Sequence, residues 1–256
     1  MSFHIALQLY SLREELSKRF YEVLKEVADL GFDGVEFAGF YGKDSNELRE
    51  ALYRLGLGIA GVHTPIQAFS ESEIDKTISF NLALGNKYLI IPGLPPEMTR
   101  TKGDWIMFAE TLNNLAKRLK QYGMRIGYHN HWAEFTPIEG ELPWDLIFSR
   151  TSEDIVMQID IGHALRAGLT TDDLIEVIKR YRGRAVSVHV KDYSKIKGYD
   201  VVIGEGDAKW LDILRALRDY GGTEWIIIEQ ETYPYKPPLE SIKRSLKNLK
   251  NILSTL

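Results

Sequence analysis

Short runs of β-forming residues alternate with longer helical patterns along the whole chain, and this alternation constrains the fold more than any other feature. Helical segments such as 20–30 and 105–119 carry apolar residues at the spacing of one helix face. Several of these segments end at a glycine, which is the usual residue just past a helix C-terminus. The predicted strands cover residues 5–10, 34–38, 59–63, 88–92, 125–131, 156–161, 185–191 and 225–230.

The alternation of β and α units implies parallel strands that are joined by helical crossovers. Eight units in 256 residues favour a closed barrel over an open sheet, and 44% hydrophobic residues suffice for one large core. No linker-like or low-complexity stretch interrupts the pattern. We therefore predict an α/β fold, a single (β/α)8 TIM barrel domain spanning residues 1–256. Long loops at 132–143 and 193–209 follow the fifth and seventh strands and are expected to serve function.

Charge and hydropathy limit the classes of partner. The formal net charge is −4 and no run of lysine or arginine stands out, so we expect no nucleic-acid partner. The N-terminal segment turns polar after a short apolar run, unlike a signal peptide. The longest apolar runs are far shorter than a membrane span, so no membrane partner is expected. These features predict a cytoplasmic protein.

Residues of the types that bind metals gather at the C-terminal ends of the predicted strands, which surround the active site in this fold. Five of the six histidines fall there. A lone histidine is more often structural, but buried imidazoles and carboxylates are costly unless they are paired or bind a cation. Their clustering therefore predicts a shared metal site. The candidate residues are Glu36, His63, His129, His131, Glu134, Asp160, His163, His189, Lys191 and Glu229.

The available donors narrow the choice of metal. The chain contains no cysteine, which excludes disulfides, thiolate ligands and a cysteine nucleophile. Oxygen and nitrogen donors suit Mn²⁺, Mg²⁺, Co²⁺, Fe²⁺ or Zn²⁺. Several carboxylates favour the harder ions, and we expect one divalent ion, with Mn²⁺ favoured.

Sequence motifs at the strand ends resemble those of the xylose isomerase-like TIM-barrel superfamily, in particular its sugar isomerase and epimerase branch. The superfamily also includes hydroxypyruvate isomerases, ketose 3-epimerases, inosose isomerases and dehydratases, and endonuclease IV. The resemblance covers essentially the whole chain in order. The motifs are LQLYSLR at 7–13, GVEFAG at 34–39, YHNH at 128–131 followed by Glu134, DIGHA at 160–164, VHVKD at 188–192, GEGD at 204–207 and IEQE at 228–231.

The resemblance implies a metal site built by Glu, Asp, His and Glu from strands five to eight. Asp160, His189 and Glu229 match the last three ligands. Where the family usually has the first glutamate this chain has His129, so we predict Glu134 as the fourth ligand, with His129 or His131 as alternatives.

The resemblance also implies the residues that contact the substrate. His163, three residues after Asp160, would hydrogen-bond the substrate, and Glu36 and Lys191 would line the same pocket. The remaining strand-end histidines His63, His129 and His131 complete the predicted substrate-binding set. Members of the family often form homo-oligomers through barrel helices, although no helix pattern in this chain points to an interface.

The chemistry implied by the family depends on a metal that chelates a carbonyl and the neighbouring hydroxyl of a sugar. The ion stabilises the enediolate that forms when the adjacent C–H proton leaves. Glu229 and Glu134 are the predicted acid and base residues. We therefore predict a metal-dependent isomerase or epimerase that acts on a small sugar or sugar-like polyol ketone.

Three other functions compete with this prediction. A lyase or dehydratase of the inosose type would use the same metal site. A non-catalytic sugar-binding barrel is disfavoured by the presence of both acid/base carboxylates, although fold alone does not fix function. An endonuclease IV activity is disfavoured because that branch holds three zinc ions. Strand four here ends at Pro92 and Gly93 without a histidine, and no Asp-x-His follows strand seven.

Overall fold

The fold is a barrel of parallel strands, described by a computed structural model for residues 3–256. Within that range the strands are β1 (His4–Gln8), β2 (Gly34–Ala38), β3 (Gly58–His63), β4 (Tyr88–Ile91), β5 (Arg125–His129), β6 (Val156–Gln158), β7 (Ser187–Val190) and β8 (Trp225–Ile228). These eight strands form one sheet in the order β6-β5-β4-β3-β2-β1-β8-β7. The predicted (β/α)8 barrel is confirmed.

Strands β6 and β7 meet at the seam of the barrel. An isolated parallel bridge joins Asp160 to His189 there. The backbone N–H of His189 donates to the carbonyl of Ile159 at 2.9 Å. The seam therefore lies at two residues that the sequence singles out as metal ligands.

Helices surround the strands. In residues 3–256 they are α1 (Arg13–Asp29), α2 (Ser45–Leu55), α3 (Ile74–Leu84), α4 (Lys102–Lys120), α5 (Pro143–Phe148), α6 (Ile161–Arg166), α7 (Thr171–Arg180), α8 (Trp210–Ala216) and α9 (Pro238–Leu253). The predicted helical segment 105–119 lies inside α4, which begins with a capping box between Thr101 and Asp104. None of the helices in the described range is both long and apolar enough to cross a membrane.

Apolar side chains fill the half of the barrel that lies at the N-terminal ends of the strands. The Trp225 ring lies there, and a Cβ atom placed on Gly34 or Gly58 would come within 2.9 Å of it. Glycine at these two positions therefore makes room for the indole. One buried cluster against Trp225 consists of Ala6, Ala60 and Ile227, and a second consists of Tyr88, Ile90, Val156 and Val186. This packing leaves only the opposite end of the barrel for polar chemistry.

A β-bulge in β3 changes which side chains face the barrel interior. The register between β2 and β3 shifts so that Glu36 pairs with Gly61. Gly61 has φ +159, and a Cβ atom there would lie 3.0 Å from Oε1 of Glu36. The extra residue reverses the alternation of β3, which brings His63 to the same side as Glu36.

β2 and β3 end where predicted, and the other six strands end one to three residues earlier. β6 ends at Gln158, and Asp160 is already the N-cap of α6. β5 ends at His129. The loop predicted at 132–143 contains a 3-10 turn, Ala133–Phe135, before α5 begins at Pro143. The loop predicted at 193–209 is confirmed and precedes α8.

Candidate metal centre and active site

Four side chains meet at the C-terminal end of the barrel. His129, Asp160, His189 and Glu229 each offer a ligand atom, and these atoms all lie within 4.8 Å of one another. All four residues are buried. They follow or end four consecutive strands, β5 to β8, so the parallel arrangement of the barrel brings them together. The structure thus groups three of the predicted ligands with a strand-five histidine.

Asp160 shows most directly that a cation fits this cluster. Its Oδ1 accepts the backbone N–H of His163 at 2.8 Å, which caps α6 and fixes the orientation of the carboxylate. Its Oδ2 is buried, lies 3.4 Å from Lys191 Nζ, and accepts no hydrogen bond from any described residue. The Lys191 ammonium group partly neutralises this oxygen, but a buried carboxylate oxygen without a hydrogen bond remains costly. A metal ion held with the other three donors would satisfy it.

His189 lies between two carboxylates. Its Nδ1 is 3.0 Å from Oε2 of Glu229, and its Nε2 is 2.6 Å from Oε2 of Glu36. Burial alone would lower the pKa of His189, but the charges and hydrogen bonds of Glu36 and Glu229 raise it to about 10. Histidines that bind metals commonly hold their second nitrogen against a carboxylate in this way. A divalent cation bound by His189 would take the place of the proton on Nδ1, which faces Glu229, while Nε2–H would keep its hydrogen bond to Glu36.

Glu36 is the buried centre of a hydrogen-bond network that supports the four-residue cluster. Its Oε2 accepts from Nε2 of Gln8 at 2.7 Å, and its Oε1 accepts from Nε2 of Gln158 at 2.7 Å. Burial raises the pKa of Glu36, but the contacts with His63 and His189 and the hydrogen bonds from His189 and Gln158 outweigh that effect and lower it. Glu36 is therefore an ionised carboxylate that orients His189.

Two glutamines in this network escaped the sequence analysis. Oε1 of Gln158 lies 2.8 Å from Nε2 of His63 and 3.1 Å from Nδ1 of His129, so this amide fixes both rings. Gln8 supports Glu36 from β1. Each is an uncharged amide within an otherwise apolar strand, and that contrast is the signal that could have revealed them.

The rings of His63 and His129 complete the polar layer. His63 stacks on His189 with ring centroids 5.3 Å apart and an interplanar angle of 7°. Burial is the main cause that lowers the pKa of His63, and burial together with the neighbouring histidines lowers that of His129 well below its ordinary value. Both imidazoles are therefore neutral at physiological pH, which is the form that binds metals.

Lys191 lies beside the cluster and is buried. Its Nζ is 2.9 Å from Oε2 of Glu229, 3.4 Å from Oε1 of Glu231 and 3.2 Å from Nε2 of His163. Burial lowers the pKa of Lys191, but the charges of Asp160, Glu229 and Glu231 outweigh that effect and raise it. The side chain is therefore an ammonium group next to the carboxylate of Glu229.

His163 links Lys191 to the long loop after β7. Its Nδ1 lies 2.6 Å from the hydroxyl of Tyr199. Burial is the main reason that its pKa falls to about 4, with the charge of Lys191 acting in the same direction and that of Asp160 opposing both. A neutral His163 accepts a hydrogen bond from Lys191 at Nε2 and donates one to Tyr199 from Nδ1.

Glu134, the predicted strand-five ligand, is not brought into the four-residue cluster. Its Oε1 accepts from the hydroxyl of Tyr128 at 2.6 Å, and its Oε2 accepts from the backbone N–H of His131 at 2.8 Å. Tyr128 precedes His129 on β5 and packs against Phe108 of α4, outside the barrel. Because adjacent strand residues face opposite sides, a carboxylate bound to Tyr128 lies on the other side of β5 from the cluster. His129 is the strand-five member of the cluster in its place.

A cavity of about 730 Å³ opens from the cluster toward solvent. Its walls include His63, His129, His131 and Glu229, which the sequence predicted near substrate, and also Glu231. The other predicted substrate contacts, Glu36, His163 and Lys191, are not in the described cavity wall. They lie behind it and contact its residues. The exposed ring of Tyr10 lies at the same cavity.

The long loop after β7 is anchored by Asp192. The Oδ2 atom accepts from the backbone N–H of Gly204 and from Nε1 of Trp210, both at 2.8 Å. The Oδ1 atom accepts from the N–H of Tyr193 at 2.9 Å. Asp192 thus holds the loop that carries Tyr199 and belongs to the support of the site.

Known proteins share this fold and sequence pattern. Among curated proteins, an inosose dehydratase of Clostridium perfringens is 26% identical over 270 residues, covering 90% of this chain and 89% of the relative. A crystal structure of a sugar phosphate isomerase/epimerase from Parabacteroides distasonis matches with a TM-score of 0.81 at 22% identity, covering 98% of this chain and 94% of that one. The IOLI protein, solved with a zinc atom bound, matches with a TM-score of 0.69 at 14% identity, covering 99% of both chains.

The family is established by a match to the sequence itself. The family model described as the xylose isomerase-like TIM barrel matches residues 24–252, which is most of the chain. That match agrees with the closed barrel of eight parallel strands in the described residues. This chain belongs to the xylose isomerase-like TIM-barrel family.

Proposed function

We propose that this protein is a divalent-metal-dependent enzyme that removes the proton next to the carbonyl of a small sugar-like ketone and then expels a hydroxyl group as water. The observation that carries the proposal is the buried Oδ2 of Asp160, which lacks a hydrogen-bond partner in the described chain and belongs to a cluster with His129, His189 and Glu229. These four residues would hold the metal. The zinc atom in the IOLI protein supports a divalent ion in this fold.

The proposed ion supplies Lewis-acid chemistry. When bound, it would polarise the substrate carbonyl and stabilise the negative charge that develops on the carbonyl oxygen. The mixed oxygen and nitrogen donors fit Mn²⁺, which we favour, and Zn²⁺. Glu36 contributes by orienting the imidazole of His189 through the 2.6 Å contact to Nε2.

Glu229 is the proposed proton acceptor. It lies in the cavity wall, where a substrate carbon can approach it. Burial raises the pKa of Glu229, but Lys191 and His189 outweigh that effect and lower it well below the ordinary value. The carboxylate is therefore ionised at neutral pH and able to take the C–H proton.

Glu229 is also the proposed proton donor to the departing hydroxyl. After Glu229 takes the C–H proton, it gives that proton to the β-hydroxyl as the C–O bond breaks, and the hydroxyl leaves as water. Glu229 is then ionised again. Lys191 lies behind the cavity wall with Nζ 2.9 Å from Oε2 of Glu229, so its ammonium group stabilises the carboxylate before and after the transfer.

The similarity to inosose dehydratases over most of the chain favours dehydration over epimerisation. Epimerisation requires a second group that returns the proton to the opposite face of the carbon. The predicted second carboxylate, Glu134, accepts hydrogen bonds from Tyr128 and His131 outside the cluster, so Glu231 in the cavity wall is the carboxylate that remains for this role.

Isomerisation is the second candidate. Glu231 also lies in the cavity wall, and its Oε1 is 3.4 Å from Lys191 Nζ. This additional carboxylate could accept or return a proton at the neighbouring carbon. Dehydration and isomerisation begin with the same proton abstraction, so one experiment can test both.

The test is to incubate the Mn²⁺-loaded protein in D₂O with an inosose and a panel of ketoses. We expect loss of one water from the inosose by mass spectrometry, and deuterium incorporation next to the carbonyl.

Glu229→Gln should reduce both the loss of water and the deuterium incorporation by a factor on the order of 10²–10⁴. Glu22→Gln, at an exposed position on α1, is the matched control and should behave like the unaltered protein. If Glu229→Gln exchanges deuterium at the unaltered rate, Glu229 is not the base. If no substrate exchanges or loses water, the proposed function is wrong.

A further inference from the structure

We propose that the substrate carries an apolar, ring-sized substituent in addition to its sugar-like part, and that a separate part of the cavity binds this substituent. This part, called here the apolar lobe, is lined by Ala38, Phe40, Val62, Pro65, Ala68 and Phe80. The inference rests on the proposed function, because the sugar-like part is assigned to the metal end of the same cavity.

The size and division of the cavity indicate two subsites. Its volume of about 730 Å³ lies in the range of pockets that enclose drug-sized ligands, roughly 300–1,000 Å³. A single monosaccharide is smaller than such ligands. The polar residues His63, His129 and Glu229 occupy one end, and the apolar lobe extends from them toward α3. A substrate that filled both ends would be polar at one end and apolar at the other.

An aromatic pair forms one wall of the apolar lobe. The rings of Phe40 and Phe80 have centroids 4.2 Å apart, with an interplanar angle of 38°. Both residues are partly exposed. Aromatic rings associate in tilted or offset arrangements at such distances. The pair therefore offers an exposed aromatic surface against which a further ring can pack.

The polar side chains next to the aromatic pair are already bonded within the protein. The hydroxyl of Thr77 donates to the carbonyl of Ala68 at 2.8 Å, and Nδ2 of Asn81 donates to the carbonyl of Thr77 at 2.8 Å. Nζ of Lys76 pairs with Glu73 at 3.1 Å, and its side chain is 75% exposed to solvent. A sugar hydroxyl beside Thr77 and Asn81 would lose its bonds to water without gaining the donors of these two residues. The lobe therefore disfavours a second sugar ring and favours an apolar group.

The backbone on both sides of Phe40 adopts a turn with positive φ angles. Phe40 lies between Gly39, with φ +84, and Tyr41, with φ 53. A non-glycine residue at positive φ is uncommon and indicates a specified turn. The turn after β2 therefore determines where Phe40 enters the wall of the lobe.

The test compares ligands that differ only in an apolar ring. Phenyl and methyl D-glucopyranosides, as both anomers, are titrated into the Mn²⁺-loaded protein by calorimetry. We expect at least one phenyl glucoside to bind about tenfold or more tightly than its methyl counterpart, since burying an aromatic ring is strongly favourable. Metal content, and deuterium exchange with the inosose and the ketoses, are measured on the same protein preparations, and they report on the proposed function independently.

Two variants and one control test whether the preference for the phenyl glucoside arises in the apolar lobe. Phe80→Leu removes the ring but keeps an apolar side chain, and Ala68→Trp fills the lobe. Both should reduce the phenyl-to-methyl affinity ratio to near one. Leu82→Ala is the matched control because Leu82 is exposed on the same helix, α3, outside the lobe, and it should keep the ratio.

Two outcomes would overturn the inference. One is a phenyl glucoside that gains nothing over the methyl compound in a protein that binds metal and exchanges deuterium, which leaves the proposed function intact. The other is a phenyl preference that persists in both Phe80→Leu and Ala68→Trp, which would assign the ring to another surface. Failure of metal binding and exchange, with the phenyl preference retained, would instead remove the proposed function and keep the apolar subsite.

Discussion

The two oxygens of Asp160 have opposite surroundings, and this asymmetry explains why an aspartate suits the position. Oδ1 caps α6 through the N–H of His163, so the short side chain cannot rotate freely. Oδ2 is left in the cluster, 3.9 Å from Nδ1 of His189. A glutamate would lose the N-cap geometry. One residue thus both begins a helix and presents an oxygen to the proposed metal.

Glu134 is the residue whose role a single substitution can decide. It accepts the hydroxyl of buried Tyr128, so Glu134→Ala should leave that hydroxyl unsatisfied and lower the free energy of unfolding by about 1–3 kcal/mol. Mn²⁺ affinity should stay within about twofold, because the carboxylate lies outside the four-residue cluster. Chemical denaturation and calorimetric Mn²⁺ titration measure the two quantities. Lost Mn²⁺ affinity with unchanged stability would instead support Glu134 as a ligand.

The resemblance to the xylose isomerase-like superfamily implied Asp160, His189 and Glu229 as ligands, and their positions at the C-terminal ends of apolar strands supported that prediction. The choice between His129 and Glu134 depends on a loop path that local periodicity does not specify. Glu134 lies five residues beyond His129, and a hydrogen bond to Tyr128 decides its direction. The roles of Gln8 and Gln158 depend on contacts between distant strands and had no charge to draw attention to them.

At the scale of elements, the β-bulge at Gly61 affects the geometry of the four-residue cluster. It allows the carboxylate of Glu36 to lie beside β3, and Glu36 in turn orients His189. A simple alternation along β3 would place His63 incorrectly, because the bulge reverses the pattern after Gly61. The sequence shows a glycine there but not the shift in register.

Gly61→Ala tests whether the bulge affects the four-residue cluster. The new Cβ atom would meet Oε1 of Glu36 at 3.0 Å, so we expect a loss of about 1–3 kcal/mol in stability and a 10- to 100-fold loss in Mn²⁺ affinity. Gly85→Ala is the matched control. Gly85 has φ +86 at the end of α3, and no described atom lies within 4 Å of its added Cβ. It should lose stability but keep Mn²⁺ affinity, and equal Mn²⁺ losses in both variants would contradict the argument.

Helix boundaries show where periodicity stops being informative. The predicted segment 20–30 covers only the second part of α1, which begins at Arg13. Arg19 has non-helical dihedral angles, φ −147 and ψ 61, so the two parts of the helix are offset. A single apolar stripe therefore could not extend across both parts.

At the scale of the whole molecule, the proposed metal would join the two strands at the barrel seam, because Asp160 and His189 form the bridge there. Ligands that bind only the folded state add about 2.7 kcal/mol at a hundredfold excess over Kd. Removing metal with EDTA should therefore lower Tm by roughly 5–10 °C, and added Mn²⁺ should restore it. Differential scanning calorimetry measures the shift. Asp160→Asn should show little response to either treatment, and an equal Tm with and without metal would contradict a metal at the seam.

The overall architecture was predictable because the same alternation of strand and helix repeats in eight units. A misplaced boundary in one unit does not change the number of units. The position of the site also followed, since the strand direction determines which end carries the ligands. The cavity could not be predicted in the same way. Its apolar lobe combines the loop after β2 with α3, and their separation in space is not encoded by any local pattern.

Trp225 packs against Gly34 and Gly58, and apolar clusters pack against Trp225. This packing affects how reactant and product enter and leave the barrel. With that half of the barrel filled, the reactant enters and the product departs through the same mouth. Reactant and product occupy the same cavity, so a new reactant binds after the product has diffused out. Product should therefore compete directly with reactant, and the departure step, rather than bond breaking, can set the pace of the cycle.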